Sequence, residues 1–181
     1  MKKHWIGWIL STLLASAAFH IGFMFMYPQL LMTAAMNRLS DNGQRENVWT
    51  HAPRMTETAR VIVRPSPDLA YSSCVYNLSD GPVQISVQPW GDYMSLSLFA
   101  ANTDNYYTLN DRRMPSAGAV VIVRGAGQAL TDEQSAAAFE VVESPSQRGI
   151  ALIRRLAPSQ AQFNKAHAAR ESDVCEALGA E

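Results

Sequence analysis

The densest group of polar side chains lies in the centre of the chain. Asp104 and Asp111 lie close to Tyr106 and Arg112 in the sequence. Two carboxylates beside an arginine can exchange protons when they are buried together, and a tyrosine ring can stack on a sugar or an aromatic ligand. Asp and Asn are also ordinary turn residues at strand ends, so a purely structural role is the main alternative.

A second group of candidates lies before residue 70. Arg54, Arg60 and Arg64 are close to His51 in the sequence and would bind an anion if they converged. Salt bridges to nearby aspartates are the alternative interpretation. Taken together, the two groups give one candidate ligand-binding set, which comprises His51, Arg64, Asn102, Asp104, Tyr106, Asp111 and Arg112.

The sequence contains no standard motif for a metal, a cofactor or a nucleophile. Its four histidines show no His-x-x-x-His spacing, and no Cys-x-x-Cys pair is present. A metal site assembled across strands by His51, Asp104 and Asp111 is the remaining alternative. Gly125-Ala126-Gly127 lacks the strand–helix context of a phosphate loop, and no serine lies in a G-x-S-x-G motif. We therefore predict no cofactor and no metal, and enzymatic activity stays open.

The first forty residues predict a membrane anchor. From Trp5 to Tyr27 there is no Asp, Glu, Lys or Arg, and as a helix this stretch is about 34 Å long, enough to cross a hydrocarbon core of about 30 Å. Trp8 and Tyr27 lie near its two ends, where interfacial aromatic residues belong. Because Lys2 and Lys3 precede the stretch, the N-terminus should face the cytoplasm and the remainder should be exported.

Two features of this segment leave alternatives open. Ala15-Ser16-Ala17 fits a signal-peptide cleavage site, but apolar residues continue to Met26, which favours an uncleaved anchor. Small residues, among them Ala18 and Gly22, could bring two such helices together as a homo-oligomer. From Pro28 a second helix is predicted, either continuing the first with a kink or lying on the membrane surface, and we place the end of the anchoring region at Gly43.

Residues 44–181 are predicted to form a β-rich domain with one terminal helix. A helix from Ser159 to Leu178 ends the domain, and Pro89-Trp90-Gly91-Asp92 is predicted to close a β-hairpin. About seven short strands separated by turns are typical of an antiparallel sandwich or barrel. The strand patterns are Ala59–Val63, Tyr71–Leu78, Val83–Val87, Met94–Leu98, Val120–Val123, Phe139–Val142 and Ile150–Ile153.

Cys74 and Cys175 are the two cysteines of the chain. Oxidation is favoured outside the cytosol, so we predict a disulfide between them that ties the terminal helix to the sheet. The alternative is a pair of buried free thiols, because sequence spacing does not show whether the two sulfurs meet.

Three segments resemble a bacterial family named domain of unknown function 1254. They are Arg64–Val83, Ser95–Asn105 and Arg148–Arg154, and the resemblance covers roughly residues 44–178. It implies a jelly-roll-like β fold and no settled activity. Some members carry a second β-domain, domain of unknown function 1214, and others are similar to this chain in being lone, membrane-anchored copies. Together with the predicted anchor and its orientation, the resemblance to a bacterial family leads us to expect an inner-membrane protein with its main domain in the periplasm.

Three functions are compatible with these features. The first is an accessory or interaction module for a protein that carries the companion domain. The second is a periplasmic enzyme or ligand binder that uses the Asn102–Arg113 region with His51, and the third is a structural homo-oligomer of the envelope. The formal net charge of −1 provides no field that would attract nucleic acid, so we predict membrane lipid and protein as the partners.

Overall fold

The computed structural model describes residues 4–56, 58–59 and 65–179, which form one long helix and a two-layer β-sandwich. The fold is mainly β with an N-terminal apolar helix and a C-terminal helix, as predicted. The helices are α1 (His4–Leu39), α2 (Asp132–Ala137) and α3 (Gln160–Arg170). The strands are β1 (Thr50–His51), β2 (Leu69–Asn77), β3 (Val83–Val87), β4 (Met94–Ala100), β5 (Asn105–Asn110), β6 (Ala119–Arg124), β7 (Glu140–Glu143), β8 (Arg148–Leu156) and β9 (Val174–Ala177).

The strands form two sheets that enclose one core. Sheet A has the order β1-β2-β8-β4-β5, and sheet B has the order β7-β6-β3-β9. Alternate residues face inward, as on β3, where Val83, Ile85 and Val87 are buried between less buried neighbours. All pairs are antiparallel except β6 with β7, so the prediction of a purely antiparallel sandwich is wrong for sheet B. The jelly-roll topology itself stays a prediction.

Helix α1 is one continuous helix that packs its last turns onto sheet A. Its apolar sequence and its length of about 54 Å are sufficient to cross a membrane. Met32 and Met36, one turn apart, are buried against Val75 and Ile150 on the outer face of sheet A. No separate helix begins at Pro28, which lies inside α1 and removes one backbone hydrogen bond there.

The hairpin predicted between Val83–Val87 and Met94–Leu98 is wrong. Strand β3 pairs with β6 and β9 in sheet B, whereas β4 pairs with β5 and β8 in sheet A. The connecting segment crosses the end of the sandwich instead of turning back on itself. Trp90 explains this path. Its indole packs against a small apolar cluster near α3 and donates a hydrogen bond to the Leu156 carbonyl, 3.2 Å away; the cluster consists of Ala70, Ala157, Phe163 and Ala166.

The terminal helix is shorter than predicted. Ser159 caps its start as expected, accepting a hydrogen bond from the Gln162 N–H, but α3 ends at Arg170 instead of Leu178. After the turn at Asp173 the chain forms β9, which pairs with β3. Pairing with a sheet overrides helix propensity here because it also buries Cys175.

The strand patterns identified most of the remaining elements. Besides the two predicted strands just discussed, five others were predicted. Four of them overlap β2, β6, β7 and β8, and the fifth, Ala59–Val63, lies mostly outside the described residues. Two further strands and a short helix were not predicted. They are β1, β5 and α2, and β5 occupies the stretch interpreted above as a polar ligand cluster.

Candidate functional site

The structure separates the residues of the predicted ligand set. His51 lies on β1 and Tyr106 on β5, the opposite edges of sheet A, which are about 19 Å apart at the usual strand spacing. Asp104 and Asp111 flank the two ends of β5, about 23 Å apart along the strand. Arg64 lies outside the described residues. Ligand binding by these residues stays a prediction, and the described ones do not share a pocket.

The polar residues of the central group lie in the turns on either side of β5. The Asn102 amide donates to the Asp104 carboxylate at 2.6 Å within the tight turn between β4 and β5. Thr103 in this turn has a left-handed φ of 75°, which Asn-rich and Asp-rich turns support. Asp111 and Arg112 are exposed in the turn that follows β5. This arrangement fits the structural alternative stated for these residues.

Tyr106 belongs to a buried group of hydroxyls, which we call the hydroxyl cluster and which consists of Tyr76, Tyr106 and Ser144. The Tyr76 hydroxyl lies 2.9 Å from that of Tyr106 and 3.1 Å from that of Ser144. Burial raises the pKa of both tyrosines above their usual value, so both phenols are neutral. The Tyr106 hydroxyl is thus engaged inside the domain while the side chain is partly buried, and stacking of its ring on a ligand stays a prediction.

A glycine makes the hydroxyl cluster possible. Tyr76 on β2 extends across β8 at Gly149 and donates to the Phe99 carbonyl on β4. A Cβ at Gly149 would lie 2.1 Å from the Tyr76 hydroxyl oxygen and 2.2 Å from the Phe99 carbonyl oxygen. Since neither distance is sterically allowed, the cluster requires glycine at this position.

His51 lies in a different group of side chains, which sequence reasoning did not identify. Its Nδ1 is 2.9 Å from the Ser72 hydroxyl, and its ring centroid is 6.5 Å from that of His167 on α3. Burial, followed by the positive charge of Arg170, lowers the pKa of His51. A histidine beside a serine can activate it as a nucleophile, but Ser72 is buried and so is closed to a substrate.

The most deeply buried charges form what we call the ionic cluster, Arg155 with Asp173. Two guanidinium nitrogens of Arg155 donate to the two carboxylate oxygens of Asp173 at 2.7 and 2.8 Å. The backbone of Gln88 completes the cluster by donating its N–H to Asp173 and by accepting from Arg155. The strand pattern did contain a signal, because two adjacent arginines on β8 must place one of them, Arg154 or Arg155, inside.

The disulfide between Cys74 and Cys175 is present, as predicted. It joins β2 of sheet A to β9 of sheet B, so it ties the two sheets together and does not involve the terminal helix. In the chain-entropy model, closing a loop of about 100 residues stabilises the folded state by about 4.7 kcal/mol at most.

The largest described cavity lies between α1 and the outer face of sheet A. Its volume is about 520 Å³, within the range of about 300–1,000 Å³ typical of small-molecule sites. Met32, Ala35 and Leu39 form one wall, and Phe99, Ile150 and Leu152 form much of the floor. Arg154 contributes the one charged side chain to the described lining. This apolar cavity was not predicted, since it depends on how α1 meets the sheet.

Comparisons with solved structures show the fold. The VPA0106 protein from Vibrio parahaemolyticus is similar with a TM-score of 0.69 and 14% identity, over 88% of this chain and 39% of that chain. An uncharacterized protein from Burkholderia cenocepacia has a TM-score of 0.49 and 12% identity, over 69% of this chain and 35% of that one. This chain therefore spans well under half the length of both.

Comparisons of sequence give the family and no activity. No curated protein matches the chain. The model of a family described as "Protein of unknown function (DUF1254)" matches residues 46–176, which include all nine strands described above except part of the last. The match covers most of the chain and agrees with the three segments that carried the resemblance, and so the chain belongs to the DUF1254 family.

Proposed function

We propose that the protein is a membrane-anchored accessory module of the bacterial periplasm, which binds a second protein carrying the companion domain of unknown function 1214. Helix α1 would anchor it in the inner membrane with the N-terminus in the cytoplasm. The observation that carries the proposal is an exposed apolar edge on sheet B. Phe139 and Val141 are 43% and 39% exposed, and β7, which contains Val141, is one of the two edge strands of that sheet among the described residues.

The chemistry of this edge suits a protein partner. An edge strand offers unpaired backbone groups to which a strand of another chain can add. Charges usually protect such an edge, but the two glutamates of β7 are engaged within the domain. Glu140 pairs with Arg113 at 3.2 Å, and Glu143 pairs with Arg124 at 3.4 Å. The more exposed residues of β7 are therefore Val141 and Glu143, and the Glu143 carboxylate is already paired with an arginine of the same domain.

Two further findings support a partner. This chain matches only 39% of the VPA0106 structure, so in that protein a domain of the same fold is continued by a much longer chain. In addition, the described residues of the predicted ligand set are spread over opposite edges of sheet A, which supports the interaction module over the enzyme.

The test uses two valines at opposite edges of the sandwich. Val141 lies on β7, and Val48, 50% exposed, precedes β1 on the far side. The full chain is reconstituted in membranes with a companion-domain protein from the same organism, and a photo-crosslinking amino acid replaces either valine. We expect crosslinks to the companion from position 141 and few from position 48, and we expect Val141→Asp, but not Val48→Asp, to abolish binding.

Other results would contradict the proposal. Equal crosslinking from the two positions would mean that the contact is not specific to β7. Crosslinks between two copies of this chain, in place of the companion, would support the homo-oligomer instead.

A further inference from the structure

We propose that the cavity between α1 and sheet A binds one acyl chain with an anionic head, of the fatty-acid class. This goes beyond partner binding by β7 and uses a different face of the domain. It rests on the proposed membrane anchoring only for the source of the ligand.

The cavity is apolar along most of its length and has a positive charge at one end, so it is complementary to a single-chain amphiphile with an anionic head. Along β8, the outward-facing residues are Ile150, Leu152 and then Arg154, so an apolar floor about 13 Å long ends at a guanidinium group. Tyr71 pairs in register with Arg154 and also lines the cavity, adding a hydroxyl at the same end. An apolar chain would lie over Ile150 and Leu152, and Arg154 would pair with a carboxylate in a charge-assisted hydrogen bond.

The axis of the cavity, from its apolar end to Arg154, runs in the same direction as a lipid of the outer leaflet, from its tail to its head. The Ile150 end faces the part of α1 nearest to the apolar stretch, since Met32 lies about 8 Å along the helix from Tyr27. On the same end of the sandwich, Gln29 and Thr33 lie beside the turns that contain Ala101 and Ser146. Arg154 lies at the opposite end. A ligand with its tail near Met32 and its head near Arg154 would therefore point its tail towards the membrane, as a lipid of the outer leaflet does.

The wall formed by α1 is continuous with the lipid-facing surface of the same helix. Leu30 and Leu31, immediately before Met32, are 61% and 49% exposed. A fatty acid leaving the bilayer along α1 would thus remain in contact with apolar side chains until it enters the cavity. Each CH₂ group that moves from water into such a site adds favourable transfer free energy, so the affinity should rise with the length of the acyl chain.

The experiment uses photoactivatable palmitic acid and its methyl ester as probes. The full chain is reconstituted into phosphatidylcholine nanodiscs without a partner, and crosslinked peptides are mapped by mass spectrometry. We expect the acid to label the segments that line the cavity, around Phe99 and residues 150–154. Arg154→Gln should lower labelling by the acid several-fold and leave labelling by the ester unchanged.

Two alanines of α1 provide the matched control. Ala35 lines the cavity, whereas Ala34 is exposed and does not. Ala35→Trp should abolish cavity labelling by both probes, and Ala34→Trp should preserve it. Labelling confined to residues 5–27, an equal loss in both tryptophan variants, or an identical response of acid and ester to Arg154→Gln would each overturn the proposal. Since no companion protein is present, none of these results depends on whether β7 binds a partner.

Discussion

The two ends of the sandwich interior stabilise buried polar groups in different ways. Near α1, the hydroxyl cluster of Tyr76, Tyr106 and Ser144 is neutral and shares hydrogen bonds among three elements. Near α3, the ionic cluster of Arg155 and Asp173 holds two full charges with almost no exposure. A neutral group that loses one partner keeps part of its hydrogen bonding, but a buried charge that loses its partner is left without an opposite charge to compensate it. The α3 end should therefore be much more sensitive to substitution.

The largest effect is expected from breaking the ionic cluster. Asp173→Ala leaves the Arg155 guanidinium buried without its carboxylate, and it should lower the free energy of unfolding by about 3–5 kcal/mol. Thermal unfolding of the full chain in a mild detergent measures this loss. Replacing both residues with apolar ones, as in Arg155→Met with Asp173→Leu, should recover much of it. A loss below about 1 kcal/mol for Asp173→Ala would show that the two ends do not differ.

The second-largest loss of stability is expected from removal of the disulfide. Cys175 lies two residues after Asp173, so both the covalent bond and the ion pair hold β9 against the rest of the sandwich. Substituting both cysteines by alanine should lower the free energy of unfolding by about 2–4 kcal/mol. Combined with Asp173→Ala, the losses should exceed their sum or abolish folding, because neither link then remains. Simple additivity in this double-mutant cycle would show that the two links act independently.

A smaller effect is expected at the hydroxyl cluster. Tyr76→Phe removes one hydroxyl and leaves the buried hydroxyls of Tyr106 and Ser144 with fewer partners, at a cost of about 1–3 kcal/mol. Tyr93→Phe is the matched control, because Tyr93 is 43% exposed and its change should cost less than about 0.5 kcal/mol. Because burial raises the folded-state pKa of Tyr76, its contribution should persist up to pH 10 and decline above it. Equal losses for the two variants would contradict the structure.

The sequence predicts which strand residues face inward better than it predicts the partners of the buried polar residues at the two ends. Strand alternation identifies Ile85, Leu96 and Leu98 as inward-facing, since a period of two depends only on local geometry. It does not identify the partner of Arg155, because Asp173 lies 18 residues away in a segment with helix-like composition. Tyr106 illustrates the same limit, since its environment depends on Gly149 in a strand that follows much later.

Pairing between distant segments explains the other errors. The turn residues at Pro89–Asp92 predict a hairpin when only neighbouring strands are considered, yet the chain changes sheets there because Trp90 is held by Leu156. The disulfide could be predicted from compartment and cysteine count, but its position between the sheets required β9 to be known. Local patterns thus predicted most of the elements, and the contacts between sheets determined which polar residues meet.

The smallest effect that we expect is a decrease in stability at acidic pH, which arises from His51 at the α3 end. Burial and the charge of Arg170 lower the folded-state pKa of His51 below the unfolded value of about 6.5, so below pH 6.5 the unfolded state binds more protons than the folded state. Stability should therefore be complete above pH 6.5 and decrease as the pH falls towards the lower folded-state value. Melting temperatures between pH 7.5 and 5 should show a shallower decline for His51→Asn than for the unsubstituted chain. Ser72→Ala is the control, because it removes the 2.9 Å hydrogen bond but keeps the imidazole, so it should lower the melting temperature and retain the slope. If His51→Asn retained the full slope, acid sensitivity would have to come from other groups, and the α3 end would differ from the hydroxyl cluster in its ion pair alone.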